Sequence, residues 1–167
     1  MRNPMRRFTV VLALSIPVVL GVGTAAAEPH STILQVPVVT GPEFGPAGVP
    51  GGLIQTVPIA ATTDNQNPGT VRFAAASPKE YYYQYTYRWL SVRWRNLSTG
   101  ATGSVDLRHW NDLESPTGQY GATLPLGAVV ETGPGPVAVT VLHFRDQYEA
   151  PALSTALVPG LGVVFVP

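Results

Sequence analysis

Cysteine is absent from all 167 residues, which removes disulfides, thiolate metal sites, a cysteine nucleophile and a lipid-modified cysteine. Packing alone must hold the chain together. A secreted eukaryotic domain of this size usually carries bridges, so the omission points toward a bacterium. Charge is scarce, at 12 % of residues. After Ala27, seven basic residues face ten acidic ones, a net charge near −3, which excludes a nucleic-acid footprint. With no basic tail or basic amphipathic helix, nothing implies binding to a membrane surface either. Helical periodicity is missing throughout. So are a G-x-S-x-G elbow, an H-E-x-x-H pair, a Walker loop and a dinucleotide-type G-x-G-x-x-G. The clusters GPAGVPGG and TGPGP are proline-bound turns that lack the backbone donors of a phosphate cradle, so no cofactor is implied.

What is present begins with MRNPMRRFTVVLALSIPVVLGVGTAAAEPH. Arg2, Arg6 and Arg7 precede an apolar run from Phe8 to Val22, and small residues end at Ala25-Ala26-Ala27. These are the three parts of a secretory signal, with cleavage expected after Ala27. The expected location is secreted or cell-envelope, with no membrane span in the mature chain. Arg6-Arg7-Phe8 resembles a twin-arginine pair, but the phenylalanine follows directly, which favours ordinary secretion. The roughly 140 residues that remain make one domain, able to bury about two thirds of its unfolded-chain surface.

Three segments follow: the signal (1–27), a Pro/Gly-rich lead-in with short edge strands that belongs to the domain (28–69), and a core (70–167). Seven prolines between Pro29 and Pro68 exclude helix from the lead-in, leaving edge strands in Ser31 to Val39 and Leu53 to Ile59 and a long loop at Pro42 to Gly52. Strand patterns then recur at Thr70 to Ala76, Tyr81 to Asn96, Ser104 to Trp110, Leu126 to Thr132, Pro136 to Phe144 and the C-terminal LGVVFVP. Many short strands between Gly, Pro, Asn and Ser clusters predict an all-β, antiparallel sandwich, immunoglobulin-like but without a disulfide. Two hairpins are expected. A two-residue turn at Gly100-Ala101 would pair Arg95 with Asp106 and Trp94 with Leu107, and Thr132 to Pro136 would turn the second.

The stretch YYYQYTYRWLSVRWRN, Tyr81 to Asn96, carries seven aromatic residues and three arginines. Its apolar positions change parity near Trp89-Leu90. Either a bulge keeps all of them facing the core, which would bury Tyr85, Tyr87 and Trp89, or a regular strand exposes Tyr81 to Tyr87 as a ladder, a ligand platform with Tyr81, Tyr83 and Tyr85 as binding candidates. Tyrosine commonly packs in half-buried strands, so the core reading carries more weight. Arg88, Arg93 and Trp110 join the three tyrosines as weak binding candidates, the arginines more simply serving to brace the sheet surface.

The one polar knot is DLRHWNDLE, with Asp106, His109, Asp112 and Glu114. Residues three apart on a strand face opposite ways, so Asp106 and His109 do not converge without a bend, and Asn111-Asp112 reads as a turn. His30 and His143 have no ligand-spaced partner, and no metal site is expected. Asn96-Leu97-Ser98 matches a glycosylation sequon, an accidental match in a bacterial exported protein.

RWLSVRWRNLSTGATGSVDLRHW, with the VVETGPGPV segment and the closing LVPGLGVVFVP, resembles small exported β-sandwich proteins of actinobacteria with no assigned function. The resemblance covers Tyr85 to Pro167. The single lysine, Lys79, against nine arginines matches a GC-rich genome. The resemblance implies an exported sandwich and carries over no catalytic residue. Three readings remain open: a non-enzymatic domain binding a protein or cell-wall partner, a small hydrolase using Asp106 to Glu114, and a carbohydrate-binding module using Tyr81 to Trp89. The first leads.

Overall fold

Proline sets where the first strands can lie. The computed structural model describes residues 28–41, 43, 44, 50, 51, 54–111 and 118–167; the segment read as a signal, and Asp112 and Glu114, lie outside them. Pro37 separates β1 (His30–Ile33) from β2 (Val38–Thr40), and Pro58 separates β5 (Thr56–Val57) from β6 (Ile59–Thr63). Two-residue strands β3 (Glu43–Phe44) and β4 (Pro50–Gly51) pair within the expected loop.

One sheet has the order β1-β6-β7-β10, with β7 at Thr70–Ala75 and β10 at Gly127–Glu131. Only β1 of the lead-in is an edge strand here, since β6 lies between β1 and β7. The second sheet is built on the long β11 (Gly135–Gln147). Along one side β11 pairs with β8 (Arg88–Asn96), which in turn pairs with β9 (Thr102–Leu107). Along its other side lie β14 (Gly160–Val166) and then β12 (Ala150–Ser154). A short third sheet runs β13 (Ala156–Val158), β2, β5. All these strand pairs are antiparallel.

Period-2 alternation decides what each sheet buries. Val71, Phe73 and Ala75 of β7 and Ile59 and Ala61 of β6 meet Leu90 and Val92 of β8, Leu107 of β9, Val137, Val139 and Val141 of β11, and Val164 and Val166 of β14 in one core. Each fully buried Val, Leu, Ile or Phe contributes about 1.5–3 kcal/mol. The chain is thus a cysteine-free antiparallel sandwich. Within it, β6 and β7 form a hairpin in one sheet.

Both expected turns are corrected. Across β8 and β9, Arg95 pairs with Thr102, Trp94 with Gly103 and Leu90 with Leu107. Arg95 is therefore four residues away from the expected partner, Asp106. The turn is Leu97 to Gly100, closed by Asn96 N–H donating to Ala101 C=O at 2.8 Å. The cause is the Asn96 side chain, whose Oδ1 accepts from Ser98 N–H at 2.8 Å and Thr99 N–H at 3.0 Å, starting the turn earlier. Gly100 takes the left-handed conformation that ends it, at φ 78°. A slip by an even number of residues leaves each side chain on the same face.

Thr132 to Pro136 makes no hairpin, because β10 and β11 belong to different sheets. It is a corner. Thr132 and Gly133 N–H both donate to Gly69 C=O at 2.9 and 3.0 Å. From the other side Asn96 Nδ2 donates to the carbonyls of Thr132, Gly133 and Pro134 at 2.9, 3.2 and 3.0 Å. Asn96 is wholly buried, so the residue that matched a sequon fastens the β8 turn to the crossover between sheets.

Candidate functional site

The aromatic stretch is not one strand. Tyr83–Tyr87 is a 3-10 helix, and β8 starts only at Arg88. The parity change near Trp89-Leu90 marks a helix-to-strand junction. No bulge is present, since β8 and β11 stay in register from Arg88↔Arg145 to Asn96↔Val137. A short helix, α1 (Tyr120–Thr123), packs against the junction. Its backbone comes so close that a Cβ on Gly121 would lie 2.5 Å from Arg88 C=O and 2.7 Å from Thr86 C=O. That approach is open to glycine alone.

The tyrosines consequently form no ladder. Tyr81 is half-buried, and the Tyr83 side chain lies outside the described set. Tyr85 turns inward, accepting from Gln55 Nε2 at 2.6 Å and packing on His109 and Trp110 with ring centroids 5.3 and 5.9 Å away. Tyr87, expected in the core, is 44 % exposed. Trp89 is 7 % exposed although it lies on the outer face of β8. Tyr120 of α1 meets it edge-on at 5.0 Å and Phe144 stacks on it at 5.8 Å. Trp89→Ala should therefore cost about 3–5 kcal/mol through lost burial and a cavity. Tyr87→Ala should move stability by roughly half a kcal/mol, and denaturant midpoints of the two variants check the contrast.

The polar knot is divided between two faces. Asp106, opposite Ser91, faces outward and accepts from the Tyr120 hydroxyl at 2.8 Å, which raises the tyrosine's pKa. His109 points the other way and is 1 % exposed. Sequence reasoning missed its neighbour. His143, 2 % exposed, lies edge-to-face against His109 with ring centroids 5.1 Å apart. Alternation could have shown each histidine to be inward-facing, after Val105-Leu107 and after Val139-Val141, but not that they meet.

Burial pushes both imidazoles from 6.5 down to about 3, helped at His109 by His143, Arg88 and Lys79 and at His143 by Arg88. Both rings are neutral at pH 7. His143 Nδ1 bonds with the Thr155 hydroxyl, while His143 Nε2 and both His109 nitrogens have no hydrogen-bond partner among the described residues. Arg88 is buried beside them, and this positive charge opposes a cation there. Among the described residues no group of three or more His, Cys, Asp or Glu could hold a metal ion. Trp110, 1 % exposed, completes this wall, held by a parallel bridge to Lys79.

The solvent-facing side of the same sheet is different. Leu161, Val163 and Phe165 project from β14 and are 41, 40 and 76 % exposed. Through the small residues Thr140 and Ala138 of β11 they align with Arg93 and Arg95 of β8, both exposed. Neither arginine makes an ion pair among the described residues. The edge of β14 is guarded by Gln35, whose amide accepts from Val163 N–H at 2.9 Å and donates to Val163 C=O at 3.4 Å, imitating a neighbouring strand. No protein-family model, curated protein or solved structure matches the chain. Among the described residues no helix is long and apolar enough to cross a membrane.

Proposed function

We propose that this chain is an exported, non-enzymatic binding domain that docks an acidic protein partner on the outer face of its five-stranded sheet. Export rests on the Met1 to Ala27 leader. The docking role rests on one observation: an exposed row of Leu161, Val163 and Phe165 beside Arg93 and Arg95, two cations without counter-charges among the described residues. A contiguous apolar strip rimmed by cations suits a partner presenting apolar side chains and carboxylates. Phe165 is the natural anchor, since aromatic and arginine side chains dominate binding energy. The separation of Asp106 from His109 supports a binding role over hydrolysis, because it leaves the histidine without that carboxylate as an orienting partner.

A photo-crosslinking residue placed at position 163 tests this, with position 129 on the opposite sheet as control. The expected result is an adduct with one acidic envelope or extracellular protein from 163 only, lost in Phe165→Asp and weakened by salt. No adduct, an adduct with a second copy of this chain, or equal labelling from both positions would refute it.

A further inference from the structure

The outer face of the other sheet carries a cavity of about 410 Å³, lined by Thr62, Asp64, Asn67, Thr70, Arg72 and Val129 together with Pro29. The register puts these side chains on one face: Thr62 stands opposite Arg72, and Arg72 opposite Val129. From this geometry we infer a second binding site, for a small zwitterion such as a free amino acid or a dipeptide. It is independent of the docking face.

The cavity lining carries both signs of charge, Arg72 and Asp64. The Arg72 guanidinium makes no ion pair or hydrogen bond among the described residues. It rests against Gly127, where a Cβ would approach Nη2 to 2.7 Å, Cζ to 3.0 Å and Phe73 C=O to 3.0 Å. A planar fork is the shape that grips a carboxylate with two hydrogen bonds. The same lining offers acceptors. The Asp64 carboxylate is positioned by Gln66 N–H at 2.9 Å and Asn67 Nδ2 at 3.0 Å. The Thr70 and Thr62 hydroxyls donate their protons to Asn67 C=O at 2.7 Å and Ser31 Oγ at 3.1 Å, leaving their lone pairs available. Glu131 stands opposite Thr70 and adds negative charge beside it.

Arg72 and Asp64 both line the cavity without pairing with each other. A ligand that bridges them satisfies both, its carboxylate on Arg72 and its ammonium toward Asp64. The volume falls in the range of small-molecule sites, and the Asp64 to Thr70 turn is preformed by the bonds above and by Gly69 N–H to Pro167 C=O at 2.8 Å, so little ordering cost accompanies binding.

Calorimetric titration of the purified protein with L-alanyl-L-alanine tests the assignment. Amidating its carboxylate or acetylating its amine should each weaken binding by about tenfold or more, as loss of a charge-assisted hydrogen bond implies. Arg72→Gln should make the dipeptide and its amide bind alike with unfolding unchanged, since Arg72 is exposed and bonds to no described residue. Phe165→Asp should leave the titration untouched, which separates this site from the docking face. No heat at millimolar dipeptide, equal binding of the blocked forms, unaltered binding by Arg72→Gln, or preference for N-acetylglucosamine would each overturn it.

Discussion

Asn96→Ala is expected to destabilise the protein by on the order of 4 kcal/mol, since each buried group left without a partner costs about 1–3 kcal/mol. Five hydrogen bonds end on this side chain. Nδ2 serves the carbonyls of Thr132, Gly133 and Pro134, and Oδ1 serves the amides of Ser98 and Thr99. Alanine would take this partner from all five groups at the point where the β8 turn touches the crossover between sheets, and among the described residues only Gly133 C=O would keep another, the Thr132 hydroxyl at 3.1 Å. Asn96→Asp should be worse, because a carboxylate oxygen would replace the donor against three carbonyls and a charge would be buried. For a domain whose total stability is typically about 5–15 kcal/mol, either change brings the folded state near its limit. Urea unfolding measures it, with exposed Asn111→Ala as a control expected within about half a kcal/mol of the parent. A loss below about 1 kcal/mol for Asn96→Ala would mean that water or neighbouring groups replace the side chain.

Acid should begin to destabilise the protein below about pH 6.5, above the range in which carboxylates ordinarily titrate. His109 and His143 titrate at about 3 in the folded chain against an ordinary value of 6.5, with burial the main cause at both and Arg88 adding at each. Below pH 6.5 the unfolded chain therefore takes up two protons that the folded chain refuses. Stability from this pair is fully present above about pH 6.5 and is lost as pH falls toward 3, with a limiting slope of about 2.7 kcal/mol per pH unit when both refuse. Among the described residues, the charged groups acting on the pair, Arg88 and Lys79, are cations that give a new imidazolium no relief, and the hydrogen-bond partner of the pair is the Thr155 hydroxyl on His143. Loss of the folded state near about pH 4–5 follows for a domain of ordinary stability. Urea midpoints between pH 7.5 and 4.5 should fall steeply, and the His109→Leu/His143→Leu double variant should flatten the profile. A parent curve flat from pH 7 to 5 would show that the rings protonate without unfolding.

What the sequence by itself determined is what depends on composition and short range. The lack of cysteine, the proline-punctuated lead-in, the turn clusters and the alternation in Thr70 to Ala76 and Pro136 to Phe144 sufficed for an antiparallel sandwich without disulfides. These features are local, because a strand's period and a turn's residues act over a few positions. Only the tertiary structure decided the rest. Asn96, read as an accidental sequon, moves the β8 turn and holds a corner made by residues 36 to 38 positions away. Tyr83–Tyr87 left the strand pattern for a helix under α1, whose Gly121 permits a backbone contact that no tyrosine spacing encodes. His109 and His143 come together because β8 stands between β9 and β11. Likewise the exposed row on β14 aligns with Arg93 and Arg95 only through pairing with β11. Each of these is a long-range pairing, fixed by which strands share a sheet, and no residue pattern within one strand records its neighbour.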